Sequence, residues 1–254
     1  IGVVLSIPTI DTVEKFLPSD LMALPMNDPA VMTRFQELLS EVAAVAGPEL
    51  LYLVIGNEVN VFLDGRPQSE WNEFQEFIEA GASHVKTLLP DVQVGVNFTY
   101  GGLGDSRLST LQTKMDVTFV SYYFNGNEFS GTPADNVPAD FAKMLALAGR
   151  KPLVVKELGY PTGAATGGSE TGQVDFIREV FATWDAERPH IPLITFSRMF
   201  DGLRADCEAD AARYGFPGNE GFIQFLCTLG LRNYDNTPKP AWSELSGLAA
   251  DRGL

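Results

Sequence analysis

The sequence predicts an α/β protein with a parallel sheet, a (β/α)8 TIM barrel of which this chain covers approximately strands 3 to 8 with their helices. Three observations carry that expectation. Short apolar runs rich in Val, Ile, Phe and Tyr recur along the chain, amphipathic segments lie between them, and several of the runs are apolar on both faces. Strands that are apolar on both sides and separated by helices belong to parallel sheets, because the crossover helices cover both faces. The predicted strands are residues 1–10, 51–55, 92–98, 117–124, 152–155 and 191–196.

The first connection contains VMTRFQELLSEVAAVA (Val31 to Ala46), where Val31, Phe35, Leu38, Leu39 and Val42 keep helical spacing and Asp28 and Pro29 are placed to start a helix. The second contains Trp71 to Leu88, preceded by Ser69, and a later one contains Gln173 to Trp184, preceded by Glu170 and Thr171. Thr162 to Thr171 (TGAATGGSET) is the segment richest in Gly, Ser and Thr. It follows a strand and reads as a loop on the active-site side. No low-complexity linker divides the chain, so residues 1–254 are expected to form one domain. Six strand-helix units can be counted, two short of closure. An open parallel sheet would leave edge backbone groups unpaired. The first residue is Ile and enters a strand with no leading Met, so the expectation is an N-terminally incomplete domain that begins near the third strand.

At 254 residues with 45% hydrophobic residues, the chain has ample material for a large core. A formal charge of −15 opposes binding to the phosphates of nucleic acid or to an anionic membrane, and favours a neutral or cationic substrate. No apolar run reaches the length of a membrane span, and the first residues lack the order of a signal peptide. Cys207 and Cys227 are the only cysteines, so a structural zinc site has little support; a disulfide and two buried thiols leave the same trace. His84, in a helix, and His190, just before a strand, read as structural or solvated.

Two segments carry chemistry. LYLVIGNEVN (Leu51 to Asn60) sets Asn57 and Glu58 directly after a buried strand, and KPLVVKELGYPT (Lys151 to Thr162) sets Glu157 after another. In a parallel barrel the carboxyl ends of all strands face one mouth, so the two acids are expected in one cavity. Retaining glycosidic cleavage needs two carboxyls about 5–5.5 Å apart, one to attack the anomeric carbon and one to protonate the departing oxygen. A helix cap would also explain Asn57 and Glu58, and a surface salt bridge with Lys156 would explain Glu157. Strand alternation is expected to send Lys156 and Glu157 to opposite sides.

These residues resemble the clan A glycoside hydrolases, whose acid/base follows Asn at the end of strand four and whose nucleophile ends strand seven. Gly56-Asn57-Glu58 is similar to the first motif and Lys156-Glu157-Leu158-Gly159 to the second. The resemblance implies Glu58 as acid/base, Glu157 as nucleophile and Asn57 as the partner of the sugar 2-hydroxyl. Ser121-Tyr122-Tyr123 falls where the clan often has His-x-Tyr, which makes Tyr123 the residue that holds Glu157 and puts Ser121 in place of the His. The clan's Trp platform at the end of strand eight has no counterpart in ITFSRMFD (Ile194 to Asp201), where Phe196 and Phe200 stand instead. GLRNYDNTPKPAW (Gly230 to Trp242) looks like the stretch that closes many such barrels. Residues that the clan carries on strands one and two, including an Arg near the nucleophile, have no counterpart here.

Asn97 and Tyr160 are further candidates for a sugar subsite, as are Tyr100, Asn125, Asn127 and Arg198, while Trp71, Trp184 and Trp242 lie on helices and read as packing anchors. The implied protein is a monomeric O-glycosyl hydrolase of β-linked glycosides or polysaccharides, working by double displacement with no metal or cofactor, of a kind usually exported. The alternative is a barrel that holds a glycan without cutting it. A metal-dependent lyase or a Schiff-base aldolase is disfavoured by the scarcity of His and by the lack of a suitable strand-end Lys.

Overall fold

The computed structural model of the chain describes residues 2–123, 129 and 133–254. Asn125 and Asn127, and the last residue of the predicted strand 117–124, lie outside them. The chain divides into two compact units, Ile1–Ser121 with Leu147–Val154, and Tyr122–Ala146 with Val155–Leu254.

The first unit opens with β1 (Val3–Asp11), which turns back on itself into β2 (Glu14–Lys15). This antiparallel hairpin pairs Ile10 with Lys15 and Asp11 with Glu14. It was not legible in the sequence, because its corner is Thr12-Val13 and not the Asn-Gly or Asp-Gly that marks a tight hairpin. Helix α1 (Pro29–Ala46) starts as expected: the Asp28 side chain accepts from the Ala30 amide at 2.8 Å and Pro29 occupies the first turn. Its buried residues Val31, Phe35, Leu39 and Ala43 recur every four positions, one stripe facing the core.

Strand β3 (Leu50–Asn57) pairs in parallel with β1, and α2 (Val59–Leu63) and α3 (Gln68–Leu88) follow it. Helix α3 begins before Ser69, with extended Pro67 in the capping position, so Ser69 lies inside the first turn. Phe35 of α1 stacks on Phe77 of α3 with ring centroids 4.5 Å apart, and Trp71 is an anchor whose indole donates to the Leu63 carbonyl. Strand β4 (Gln93–Thr99) pairs in parallel with β3. After α4 (Ser106–Thr113), β5 (Val117–Tyr123) pairs in parallel with β4. Leu53, Ile55, Val94, Val96, Phe74, Phe77 and Phe98 join one buried cluster, each side chain contributing about 1.5–3 kcal/mol by burial.

In the second unit, α5 (Val137–Ala148) contributes Asp140 and Phe141, which meet the phenol and the ring edge of Tyr122. Strand β6 (Leu153–Gly159) runs four residues past its predicted end. Charged Lys156 and Glu157 end the apolar run, but backbone pairing does not depend on apolar side chains, and the Leu158 carbonyl still accepts from the Ser197 amide. Helix α6 (Glu170–Glu187) starts earlier than its apolar pattern because Ser169 caps it, accepting from Gly172 N. Strand β7 (Leu193–Phe196) precedes α7 (Arg204–Arg213), α8 (Glu220–Cys227) and α9 (Pro240–Ala250). Cys207 of α7 and Cys227 of α8 form a disulfide with Cα atoms 5.7 Å apart, which settles the alternative left open by the sequence. Trp184 donates its indole N–H to the Ile191 carbonyl, again as an anchor. His84 accompanies Ser40 on the surface of the first unit, and His190 lies beside Glu187 in the second.

Candidate active site

In the first unit the carboxyl ends of β1, β3, β4 and β5 bring together Asp11, Asn57, Glu58, Thr99 and Ser121. Local backbone makes this corner. Gly56 (φ +83) and Glu58 (φ +47) both occupy the left-handed region, and a Cβ on Gly56 would also come within 2.6 Å of Val59. Glycine therefore satisfies two demands at the residue before Asn57. On β1 the register slips between Ile7, opposite Ile55, and Asp11, opposite Asn57. Two extra residues on β1 re-aim its end at the Asn57–Glu58 corner, the usual effect of a bulge.

The side chains form a relay. Asn57 Nδ2 donates to Asp11 Oδ1 at 3.1 Å, and Asn57 Oδ1 accepts from Asn97 Nδ2 at 2.9 Å. Asn97 Nδ2 also donates to Ser121 Oγ at 2.9 Å. Opposite demands on its two ends fix which way the Asn57 amide points. Asn97, expected in a sugar subsite, is fully buried and stands behind Asn57. Ser121, where the resemblance leads one to look for His, is buried and anchors Asn97. Thr12 Oγ1 donates to Glu58 Oε2 at 2.9 Å, and the Thr12 amide donates to the Asn57 carbonyl at 3.0 Å. Asn60 ties the start of α2 to the end of β4 through both atoms of Thr99, with contacts of 2.8 Å.

The second unit holds Glu157. Tyr123 Oη donates to Glu157 Oε2 at 2.6 Å, and Lys156 Nζ donates to Glu157 Oε1 at 2.6 Å. The expectation that alternation separates Lys156 from Glu157 is therefore wrong. Alternation sets the direction of Cβ, but four methylenes are long enough to carry the ammonium round the strand. Each oxygen receives a donor, one of them cationic. The Tyr123 ring is fixed edge-on to Phe225 at 5.3 Å, and a Cβ on Gly159 would sit 2.9 Å from that ring, so the residue two beyond Glu157 must be small.

Phe196 and Tyr160, also expected in a subsite, both meet rings of α6. Phe196 stacks on Phe181 of α6 with centroids 6.3 Å apart, on the strand face that the helix covers. Tyr160 is 6% exposed and lies against Phe176, its hydroxyl in the room left by Gly172, whose Cβ would come within 2.2 Å of it. Burial, aided by the Asp175 carboxylate, holds the Tyr160 phenol above the usual tyrosine range. Phe200, by contrast, is exposed, and Arg198 holds the adjoining backbone through its carbonyl, which accepts from the Leu231 amide.

Sequence reasoning missed two groups. One is the Asp11-Thr12 corner. The other is a buried ion pair, Lys239 Nζ to Asp201 Oδ1 at 2.7 Å, with further donation to Thr162 Oγ1 at 3.1 Å and the Thr228 carbonyl at 3.3 Å. The Lys-Pro-Ala motif stands out in the sequence, but nothing local shows that its lysine side chain is only 1% exposed. Burial pushes the Asp201 carboxyl up, against the opposing pull of Lys239. Among the described residues no cluster of His, Cys, Asp and Glu is arranged to hold a metal ion.

No protein-family model and no curated protein sequence matches the chain. Solved structures do. A Bacteroides uniformis β-glucuronidase 2, covalently bound to cyclophellitol-6-carboxylate aziridine, is 13% identical with TM-score 0.67 over 97% of this chain and 28% of its own. A GH5_18 enzyme variant from Streptomyces cattleya, in complex with Manβ1-4GlcNAc, is 20% identical with TM-score 0.67 over 95% of this chain and 59% of its own. The GH53 catalytic domain of Ignisphaera aggregans is 17% identical with TM-score 0.62 over 92% and 68%. The chain thus shares the TIM-barrel fold of these glycosidases while spanning about a quarter of the length of the glucuronidases.

Proposed function

We propose that this chain carries the catalytic residues of a retaining O-glycosyl hydrolase for β-linked glycosides, with Glu157 as nucleophile and Glu58 as acid/base. The observation that carries the reading is that each of the two glutamates singled out by motif has a carboxylate oxygen held by a hydroxyl, Glu58 by Thr12 at 2.9 Å and Glu157 by Tyr123 at 2.6 Å. The Asn57–Asn97 relay fixes the residue before Glu58, and Lys156 holds the second oxygen of Glu157. The shared fold supports it too, since the strand ends of such a barrel open on one mouth.

In the reaction, a Glu157 oxygen attacks the anomeric carbon while Glu58 gives its proton to the departing glycosidic oxygen. That step breaks the glycosidic bond and forms a glycosyl ester on Glu157. Glu58, now a carboxylate, takes a proton from water as the water oxygen attacks the same carbon. The ester bond breaks, both glutamates regain their starting states, and two inversions give net retention. Tyr123 and Lys156 hold Glu157 for attack, and Asn57 receives the sugar 2-hydroxyl. The covalent adduct of the B. uniformis enzyme is compatible with this route in a shared fold. A neutral substrate suits the charge of −15 better than a uronide does.

Glu157→Gly is expected to lower kcat on an aryl β-glycoside by roughly 10⁴-fold or more, the scale of losing a catalytic nucleophile. Added azide should restore turnover and give the α-glycosyl azide, identified by NMR. Undiminished turnover by the variant rules the assignment out, and glycan binding with no product from wild type favours a non-cutting barrel.

A further inference from the structure

Thr12 has no role in the reaction as described, yet it is the most unusual backbone position near Glu58. Its φ is +51, in the left-handed region that a β-branched residue avoids. A two-residue hairpin corner needs such a conformation, and Asn or Gly would supply it without strain. The threonine side chain is therefore tolerated here in spite of the backbone. The rest of the corner is fixed: Asp11 pairs with Glu14, the Phe16 amide donates to the Thr9 carbonyl at 2.9 Å, and the Thr12 amide donates to the Asn57 carbonyl. From that anchored position the hydroxyl donates to Glu58 Oε2 at 2.9 Å. Strain held at a residue whose side chain ends on a reacting group is the pattern of a functional constraint.

We infer that Thr12 is a positioning residue for the acid/base: the β1–β2 corner exists to hold its hydroxyl on Glu58 Oε2. The inference rests on the acid/base role proposed for Glu58. While Glu58 is protonated, donation to Oε2 biases the proton to Oε1 and fixes the rotamer that presents it. Once Glu58 has given up the proton, the same bond stabilises the carboxylate that must next activate water. A neutral hydroxyl does both without adding a charge.

The test uses the full chain with 2,4-dinitrophenyl β-glycosides, whose leaving group needs no proton, and the matching alkyl β-glycosides, whose leaving group does. Thr12→Val keeps the branching and removes the hydroxyl. It is expected to lower kcat/KM on the alkyl glycoside by roughly 5–20-fold, a part of what general acid catalysis supplies, and on the dinitrophenyl glycoside by less than about 2-fold. The basic limb of the kcat/KM profile should move to higher pH, because the carboxylate has lost a donor. Thr12→Ser should restore both readouts. Thr12→Gly relaxes the corner, so it should melt no lower than wild type while showing the defect of Thr12→Val. A residue that only shaped the hairpin would do the reverse, losing stability and leaving the leaving-group dependence and pH profile alone. Glu58→Ala is the control. Activity on the dinitrophenyl glycoside that rises with azide marks it as an acid/base variant. If Glu58→Ala shows that signature while Thr12→Val behaves as wild type, the inference alone is overturned. If Glu58→Ala lacks it, the assignment of Glu58 falls and the inference falls with it.

Discussion

The two units hold their glutamates by different physics. Glu58 follows the end of a strand, on left-handed backbone, and accepts from the Thr12 hydroxyl, while the asparagine before it is tied to the fully buried Asn97. Glu157 lies inside a regular strand and is gripped by a phenol and an ammonium. The second unit repeats that style in its buried Lys239–Asp201 pair. A hydroxyl such as that of Thr12 serves a group proposed to cycle between acid and base, since it can donate to either state. A group proposed to attack as an anion is served by a cation.

Breaking the charged style should cost most. Lys239→Met removes the cation from Asp201, and the loss of one partner of a buried pair costs about 3–5 kcal/mol, read as a lower urea midpoint. The loss depends on pH with a definite sign. Because burial raises the Asp201 carboxyl, the native state holds its proton more tightly than the unfolded chain does. Stability from this group is present below the ordinary aspartate pKa of about 3.9 and is lost as pH rises through the raised value. The deficit of Lys239→Met should therefore be largest at neutral pH and shrink toward pH 4. A deficit that is constant across that range would mean that Asp201 stays charged in the variant.

Tyr123→Phe tests the clamp itself. A hydrogen bond to a charged group contributes about 1.5–3 kcal/mol, so kcat/KM should fall by roughly 10–100-fold, with a small change in melting temperature because the ring still packs on Phe225. An equal fall in the first unit's hydrogen-exchange protection would show that the two styles of support are not independent.

Much of this was legible in the sequence, and the rest was hidden for identifiable reasons. Apolar runs on both strand faces announced a parallel sheet, and Asp28-Pro29 announced α1, because burial and capping are local chemistry. The same two-sided burial hides which way a residue points: nothing in ITF says that Phe196 faces α6, and nothing in VNF says that Asn97 is sealed behind Asn57. The β1 slip that aims Asp11 at Asn57 arises from pairing between distant segments, so no local pattern records it. Glu58 stands out because it follows an asparagine directly after an apolar strand, and Glu157 because it is an acid directly after an apolar run. Thr12 does not, because threonine has no propensity for the conformation it adopts.

The smallest effect is also the most diagnostic for the amide relay. Asn97→Ala should cost about 1–3 kcal/mol of stability, since Ser121 and the Asn57 carbonyl oxygen lose a buried donor. Its catalytic meaning lies in coupling. With Asn97 present, Asn57 Oδ1 is tied back and the amide cannot turn end for end. Without it, the amide can present either atom to the sugar, so the 2-hydroxyl is recognised less well. Wild type should therefore be penalised more heavily than Asn97→Ala when a 2-deoxy aryl glycoside replaces its parent, and the two penalties should differ by about 1 kcal/mol, a factor near 5 in kcat/KM. Equal penalties would confine Asn97 to stability. A penalty smaller in wild type than in the variant would place the 2-hydroxyl on some partner other than Asn57.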